Sequence, residues 1–190
     1  MAGTALRMML ACAVLGGCAV ANPAVRTSAD ADASLVVGYF DMTDAPFALG
    51  CVRITQGERA GIAYRQSCMT TLPSGLFFVE NVPPMQYHIP FFYAGGKLHM
   101  ISAERQDVFD LPPRALVFLG AFKYKPVEPN LAQVLEVTPK QYQLDPATKP
   151  SEAAVLEMLL DKVEDDRWKQ RIRARLAQER QQARKHPGGR

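Results

Sequence analysis

Between Ser34 and Tyr124 the chain is cut by proline and glycine into short apolar segments, none of them long enough to be a helix with its own hydrophobic face. That punctuation restricts the fold more than any other feature. The segments are Ser34–Phe40, Leu49–Thr55, Ile62–Cys68, Gly75–Glu80, Gln86–Tyr93, Lys97–Ser102, Asp107–Leu111 and Arg114–Tyr124. Each has strand length and β-branched or aromatic content. Gly95-Gly96 is a hairpin signal, and Asp41 to Pro46 carries turn chemistry. Ala115–Phe122 is apolar on both faces, which places it at the centre of a sheet. Leu131–Thr138 reads as the last strand, or as a short helix. Successive strands without intervening helices predict a mainly β domain over 34–145, an antiparallel sandwich.

The pattern changes at Pro150. Ser151 is a capping residue ahead of Glu152, and Leu156, Leu159, Leu160 and Val163 make an apolar stripe. Trp168, Ile172 and Leu176 make a second stripe out of phase with the first. A fresh cap at Asp165 or Asp166 resolves the mismatch. The prediction for 151–182 is a helix pair, or one bent helix, with 183–190 as a disordered tail.

The stretch Gly75-Leu-Phe-Phe-Val-Glu-Asn-Val-Pro-Pro-Met-Gln-Tyr-His-Ile89 resembles the signature of carboxypeptidase regulatory-like and other prealbumin-like (transthyretin-like) domains. Gly75, Phe77, Val82, Pro83, Pro84, Tyr87 and Ile89 match it. Ser74 stands in place of the usual aspartate, and Met85 in place of the turn glycine. Leu116-Val-Phe-Leu-Gly120 is similar to a later strand of lipoproteins of this kind. The resemblance covers about residues 34–138 and implies a prealbumin-like sandwich acting as a binding or accessory module; the fold itself dictates no activity.

The N-terminus has Arg7, an apolar run from Met8 to Gly17, and Leu15-Gly16-Gly17-Cys18. The run is too short to span a bilayer and has the form of a secretory signal. Its end resembles the lipobox of bacterial lipoproteins, which implies cleavage after residue 17 and acylation of Cys18. Cys12 competes for that role but would leave almost no apolar core before it. An ordinary signal peptide cut after Ala21 is the alternative. Ala19 beside the cysteine, by the same resemblance, implies the outer membrane. Acyl chains on Cys18 would hold the domain to a membrane without a transmembrane helix. Residues 18–33 are small and polar and read as a tether, with a reach of roughly 20 Å.

Export leaves Cys51 and Cys68 as the remaining cysteines, and in an oxidising compartment they are expected to pair. A hairpin folded about Arg59 and Ala60 would set them opposite one another; that register also puts Val52 and Ile54 opposite Ser67 and Arg65, which calls for a bulge.

No nucleotide-binding, zinc-protease or nucleophile-elbow motif occurs in the chain. No cofactor is expected. His88 and His99 fall far apart along the ladder, and His186 lies in the tail, so a histidine metal site is not expected. Asp41 and Asp44 fit an Asx turn better than a calcium site. Phe91, Phe92 and Tyr93 cannot all face one core, because side chains alternate; either they form a stacking surface or a C-terminal helix covers the outward ones. Residues 167–190 hold nine Arg or Lys against Glu179 alone. Arg171, Arg173 and Arg175 could meet anionic lipid, or simply be solvated. Export excludes nucleic acid as a partner. The expectation is a lipid-anchored, non-catalytic envelope module with a protein partner in the envelope. The alternatives are an accessory component of a secretion or assembly complex, and an envelope hydrolase.

Overall fold

Successive residues along the central strands Ser34–Asp41 and Leu76–Val82 are apolar and buried, so both faces must be covered, and the molecule is built in three layers for that reason. The computed structural model describes residues 31–57, 66–101, 108–127 and 142–185. The strands are β1 (Ser34–Asp41), β2 (Leu49–Gln56), β3 (Gln66–Cys68), β4 (Thr70–Thr71), β5 (Leu76–Val82), β6 (Gln86–Ala94), β7 (Lys97–Met100), β8 (Phe109–Asp110), β9 (Leu116–Pro126) and β10 (Tyr142–Ala147). Two helices follow, α1 (Glu152–Leu160) and α2 (Asp166–Lys185).

The first sheet has the order β10-β9-β1-β5-β4 and the second β3-β2-β6-β7, with β8 also paired to β6. All pairings are antiparallel except β1 with β9, which is parallel. The antiparallel expectation needs that one correction. Its cause is the long path from β1 to β9, since a parallel neighbour requires a crossover rather than a hairpin. The sheets enclose one core, in which Val36, Phe40, Val52, Ile54, Phe77, Val79, Tyr87 and Phe92 are buried. On the other side of the first sheet, Leu35, Val37, Leu76 and Phe78 pack against Val155, Leu156, Leu159, Trp168 and Ile172 of the helices. Burying each such side chain contributes about 1.5–3 kcal/mol, which fixes the helix pair to this face.

The turns follow local chemistry. Gly75 has φ 95°, and a Cβ there would lie 2.0 Å from the Phe40 carbonyl oxygen. The turn after β5 lacks a glycine at Met85, and Tyr87 braces it instead: its hydroxyl donates to the Pro83 carbonyl at 2.9 Å. Gly95 and Gly96 both have positive φ and close the β6–β7 hairpin, as expected. Ser151 caps α1, its Oγ accepting from Ala154 N–H at 3.4 Å. Asp165 caps α2, its carboxylate accepting from Arg167 N–H at 2.9 Å. Two helices with a fresh cap at Asp165 thus replace the single bent helix. α2 continues to Lys185, past the boundary set at 182.

The expected strand Leu131–Thr138 lies outside the described residues, as do 1–30, Arg59, Ala60 and His186. Two strands were not anticipated. β4 is very short, and β10 contains Pro146, which an edge strand tolerates; β10 also carries the sheet past residue 145.

Candidate functional site

The site is the outer face of the second sheet, and its composition follows from register. Val52 and Ile54 point inward to the core, so Cys51, Arg53 and Thr55 point outward. Arg53 is paired with Cys68 on one side and Phe91 on the other, and Phe91 in turn with Met100. The next row holds Cys51, Tyr93 and Leu98. A third holds Gln66, Thr55 and His88. Cys68 thus faces Arg53 rather than Cys51, and the expected register is shifted by two positions. A two-residue shift leaves Val52 and Ile54 on the inward side, and Ile54 still lies opposite a serine, Ser67, which is itself buried. The disulfide Cys51–Cys68 forms all the same, diagonally across neighbouring rows, with the two Cα atoms 5.4 Å apart.

The three consecutive aromatics separate as alternation requires. Phe92 is fully buried between the sheets. Phe91 and Tyr93 are half-buried on the outer face, with ring centroids 5.7 Å apart at 89°. Leu98 and Met100 beside them are 47% and 53% exposed. The expectation that the C-terminal helix covers this face is corrected: α1 and α2 lie on the first sheet, at the far side of the molecule. Leu35, Val37, Leu76 and Phe78 form the apolar surface that the helices bury there.

A cation borders this aromatic face on β2. The Arg53 guanidinium lies 5.8 Å from the Phe91 ring centroid. Arg53 Nε and Thr55 Oγ1 are buried with no hydrogen-bond partner among the described residues. His88 is buried alongside, with Nδ1 3.1 Å from the Gly57 carbonyl oxygen. An apolar, aromatic surface beside a fixed cation suits contact with another molecule better than contact with water.

The other candidates separate from this face. His99 points inward, opposite Phe92 as the hairpin predicts, with the two rings stacked at 4.9 Å. His88 and His99 therefore lie on opposite faces of the sheet. Asp41 accepts from the Thr43 hydroxyl at 2.6 Å and from Thr43 N–H at 3.0 Å, which is the Asx turn, and those hydrogen bonds, the hydroxyl's first, hold its carboxyl below the usual range. Asp44 pairs with Lys123 at 2.9 Å. Of the three helix arginines, two serve the fold. Arg171 donates to the Arg114 carbonyl at 2.7 Å and covers the Trp168 ring at 4.8 Å. Arg175 pairs with Glu152 at 3.0 Å and with Glu179 at 3.4 Å. Arg173 lines a shallow cleft between α1 and α2 with Glu157, Asp161 and Arg180. The basic run is thus no uniform cationic strip, because its charges are spread around a helix that must also bind its neighbours.

Acidic groups do converge in one open cleft, lined by Glu80, Glu164 and Asp165 beside Cys68 and Asn81. Burial raises the Glu80 carboxyl above its usual range, against hydrogen bonds from Glu164 and Asp165 N–H that lower it. Glu80 and Asp165 both accept backbone N–H groups at the turn into α2, which is the work of helix capping. Among the described residues no group of three His, Cys, Asp or Glu is arranged to hold a metal ion, and no helix is long and apolar enough to cross a membrane.

No family model matches the chain, and no curated protein matches it. A solved structure of a DUF3823 family protein from Parabacteroides merdae ATCC 43184 is similar over 55% of this chain, at 10% identity and a TM-score of 0.29. The match spans 54% of that chain, about half its length.

Proposed function

We propose that this is a lipid-anchored cell-envelope protein whose sandwich is a non-catalytic interaction module. The observation that carries the reading is the face Phe91, Tyr93, Leu98 and Met100, uncovered among the described residues, with Arg53 beside Phe91 on the neighbouring strand. The Cys51–Cys68 disulfide supports an oxidising compartment outside the cytoplasm, as the signal-like N-terminus ending at Cys18 does. Acyl chains on Cys18 provide the anchor, on the periplasmic face of the outer membrane, and a tether after it holds the face clear of the headgroups; it ends before the expected residue 33, because Ala33 is buried and the Ala31 and Asp32 carbonyls accept from Arg114. The partner is a protein of the envelope.

Two measurements test this. Cys18→Ala should abolish lipid labelling and release the chain from membranes; a variant that still labels and fractionates with membrane rules out the anchor. A photo-crosslinking residue at Leu98 should give one discrete adduct in intact cells, whereas the same residue at Arg173 should not. Equal crosslinking at both positions, or none at Leu98, rules out the interaction face. A stoichiometric partner in the adduct would specify an assembly component.

A further inference from the structure

We infer that the space between the two sheets is a binding site for a hydrocarbon chain of medium length. A cavity of about 310 Å³ opens there, between the β9–β10 side of the first sheet and β6 and β8 of the second. Every residue lining it is Phe, Ile, Leu or Val, among them Phe77, Ile89, Phe109, Val117, Leu119 and Leu144.

Two local irregularities border the cavity. β6 breaks register against β2 between Arg53 and Thr55, near Ile89 and Pro90. β9 breaks register against β1 between Val37 and Tyr39, near Leu119 and Gly120. Bulges bend the strands that carry them, and both of these border the cavity through Ile89 and Leu119. Phe77 shapes the floor. Its ring lies across Gly38, where a Cβ would come within 2.3 Å of Cζ.

The lining determines the ligand class. Interiors of folded domains carry few voids larger than a water molecule, and a cavity walled by apolar side chains offers water few hydrogen-bond partners. A sugar, nucleotide or peptide backbone entering it would lose hydrogen bonds to water and find none in return. A hydrocarbon chain loses nothing and restores the dispersion contacts that the walls lack. An apolar cavity of about 150 Å³ accepts benzene, so a space of about 310 Å³ holds roughly twice that, on the order of a dodecyl chain. The ligand is thus an acyl chain whose polar head stays outside, in water. The inference stands on the cavity and does not require acylation of Cys18. If Cys18 is acylated, the chain's own anchor becomes a second source of the same chemistry.

The test uses dodecanoate as probe, added below its micellar concentration to the exported full-length chain in its native and Cys18→Ala forms. Native mass spectrometry should show a single adduct, and dodecanoate should displace a fluorescent fatty acid. Uptake by both forms identifies a free acyl chain as the ligand; uptake by Cys18→Ala alone identifies the anchor as the resident occupant. Lipid labelling is read separately, so an unlabelled chain that still takes up dodecanoate rejects the anchor and keeps the cavity. Val117→Phe, which fills the space, should weaken uptake at least tenfold, while Gln178→Phe on the exposed side of α2 should leave it unchanged. Absence of an adduct in both forms overturns the inference with no variant needed. Equal uptake by a folded Val117→Phe chain overturns it as well, and Leu144→Phe takes its place if Val117→Phe does not fold.

Discussion

The indole Nε1 of Trp168 donates to Oδ1 of Asn81 at 3.1 Å, joining α2 to a strained point of β5. Asn81 has φ 61°, in the left-handed region, where β1 and β5 break register between Ser34 and Val36. Asparagine tolerates this conformation better than most residues. Its side chain also satisfies an indole that is buried with only 2% of its surface exposed.

Asn81→Ala removes both functions. The backbone cost is about 1–2 kcal/mol, and the unpaired buried N–H adds about 1–3 kcal/mol. The expected loss is about 2–5 kcal/mol in urea denaturation. Asn81→Gly relieves the backbone and should lose about 1–3 kcal/mol. The chain has a single Trp, so the emission of Trp168 reports the change directly. Equal stability of the alanine and wild-type chains would show that the bond contributes nothing.

Arg171 is the second clamp on the same indole. It donates to the carbonyl of Arg114, itself at φ 61°, and covers the Trp168 ring. Arg171→Ala should cost about 1–2 kcal/mol, and Arg173→Ala less than about 0.5 kcal/mol. Denaturation of the two variants side by side separates a structural arginine from a solvated one. Identical losses would contradict the assignment.

These contacts show how far the sequence could be read. Strand positions, the Gly95-Gly96 hairpin, a fresh cap at Asp165 or Asp166 and the separation of Phe92 from Phe91 and Tyr93 follow from alternation and turn chemistry, which are local; which side of that separation faces the core does not. The face that the helices cover is one of two apolar surfaces, one at Leu35, Val37, Leu76 and Phe78, the other at Phe91 and Tyr93. Each is assembled from strands distant in sequence, so no local pattern ranks them. The same holds for Arg171, whose partner carbonyl lies at Arg114, and for the β2–β3 register, where the cysteines were paired correctly but a diagonal pair was read as a direct one. Arg53 and Thr55 carried no local signal of their own: only the register of three strands places them beside Phe91 and His88.

Stability should depend on pH through His99. Burial between Phe47, Phe92 and Tyr142 pulls its imidazole below the ordinary 6.5, and Lys97 adds to this against the hydrogen bond with the Ala94 carbonyl. The unfolded chain therefore binds the proton first as the pH falls through 6.5. This contribution is flat above that pH, declines below it, and stops declining once the folded imidazole is also protonated. His99→Phe keeps an aromatic ring in the stack and removes the titration. The difference in stability between the two proteins should then change between about pH 7.5 and about pH 5, in favour of the variant at the lower pH. A constant difference would mean that His99 does not titrate between its folded and unfolded values in this range.

The disulfide closes a sequence separation of 17 residues. Cys51→Ala with Cys68→Ala should cost about 3 kcal/mol by loss of that constraint, read as a lower denaturant midpoint that reducing agent no longer shifts. Wild-type protein in reducing agent should lose a similar amount. No effect of reductant on the wild-type midpoint would contradict a closed bridge.

The outer face offers the sharpest contrast between structure and function. Phe91 and Tyr93 are only half-buried, and their exchange with each other and with Arg53 is the main interaction they would lose. Cross-strand pairs of this kind are worth about 0.2–1 kcal/mol each. Phe91→Ser with Tyr93→Ser should therefore remain folded, within about 1–2 kcal/mol of wild type. The same double variant should lose the adduct formed from Leu98, because the surface that a partner would desolvate has gone. Arg53→Gln tests the charge separately: it keeps the apolar surface and removes the cation, and an acidic partner should then bind more weakly, with less sensitivity to salt. If the serine variant keeps the adduct, or fails to fold, the face is structural and the interaction surface lies elsewhere.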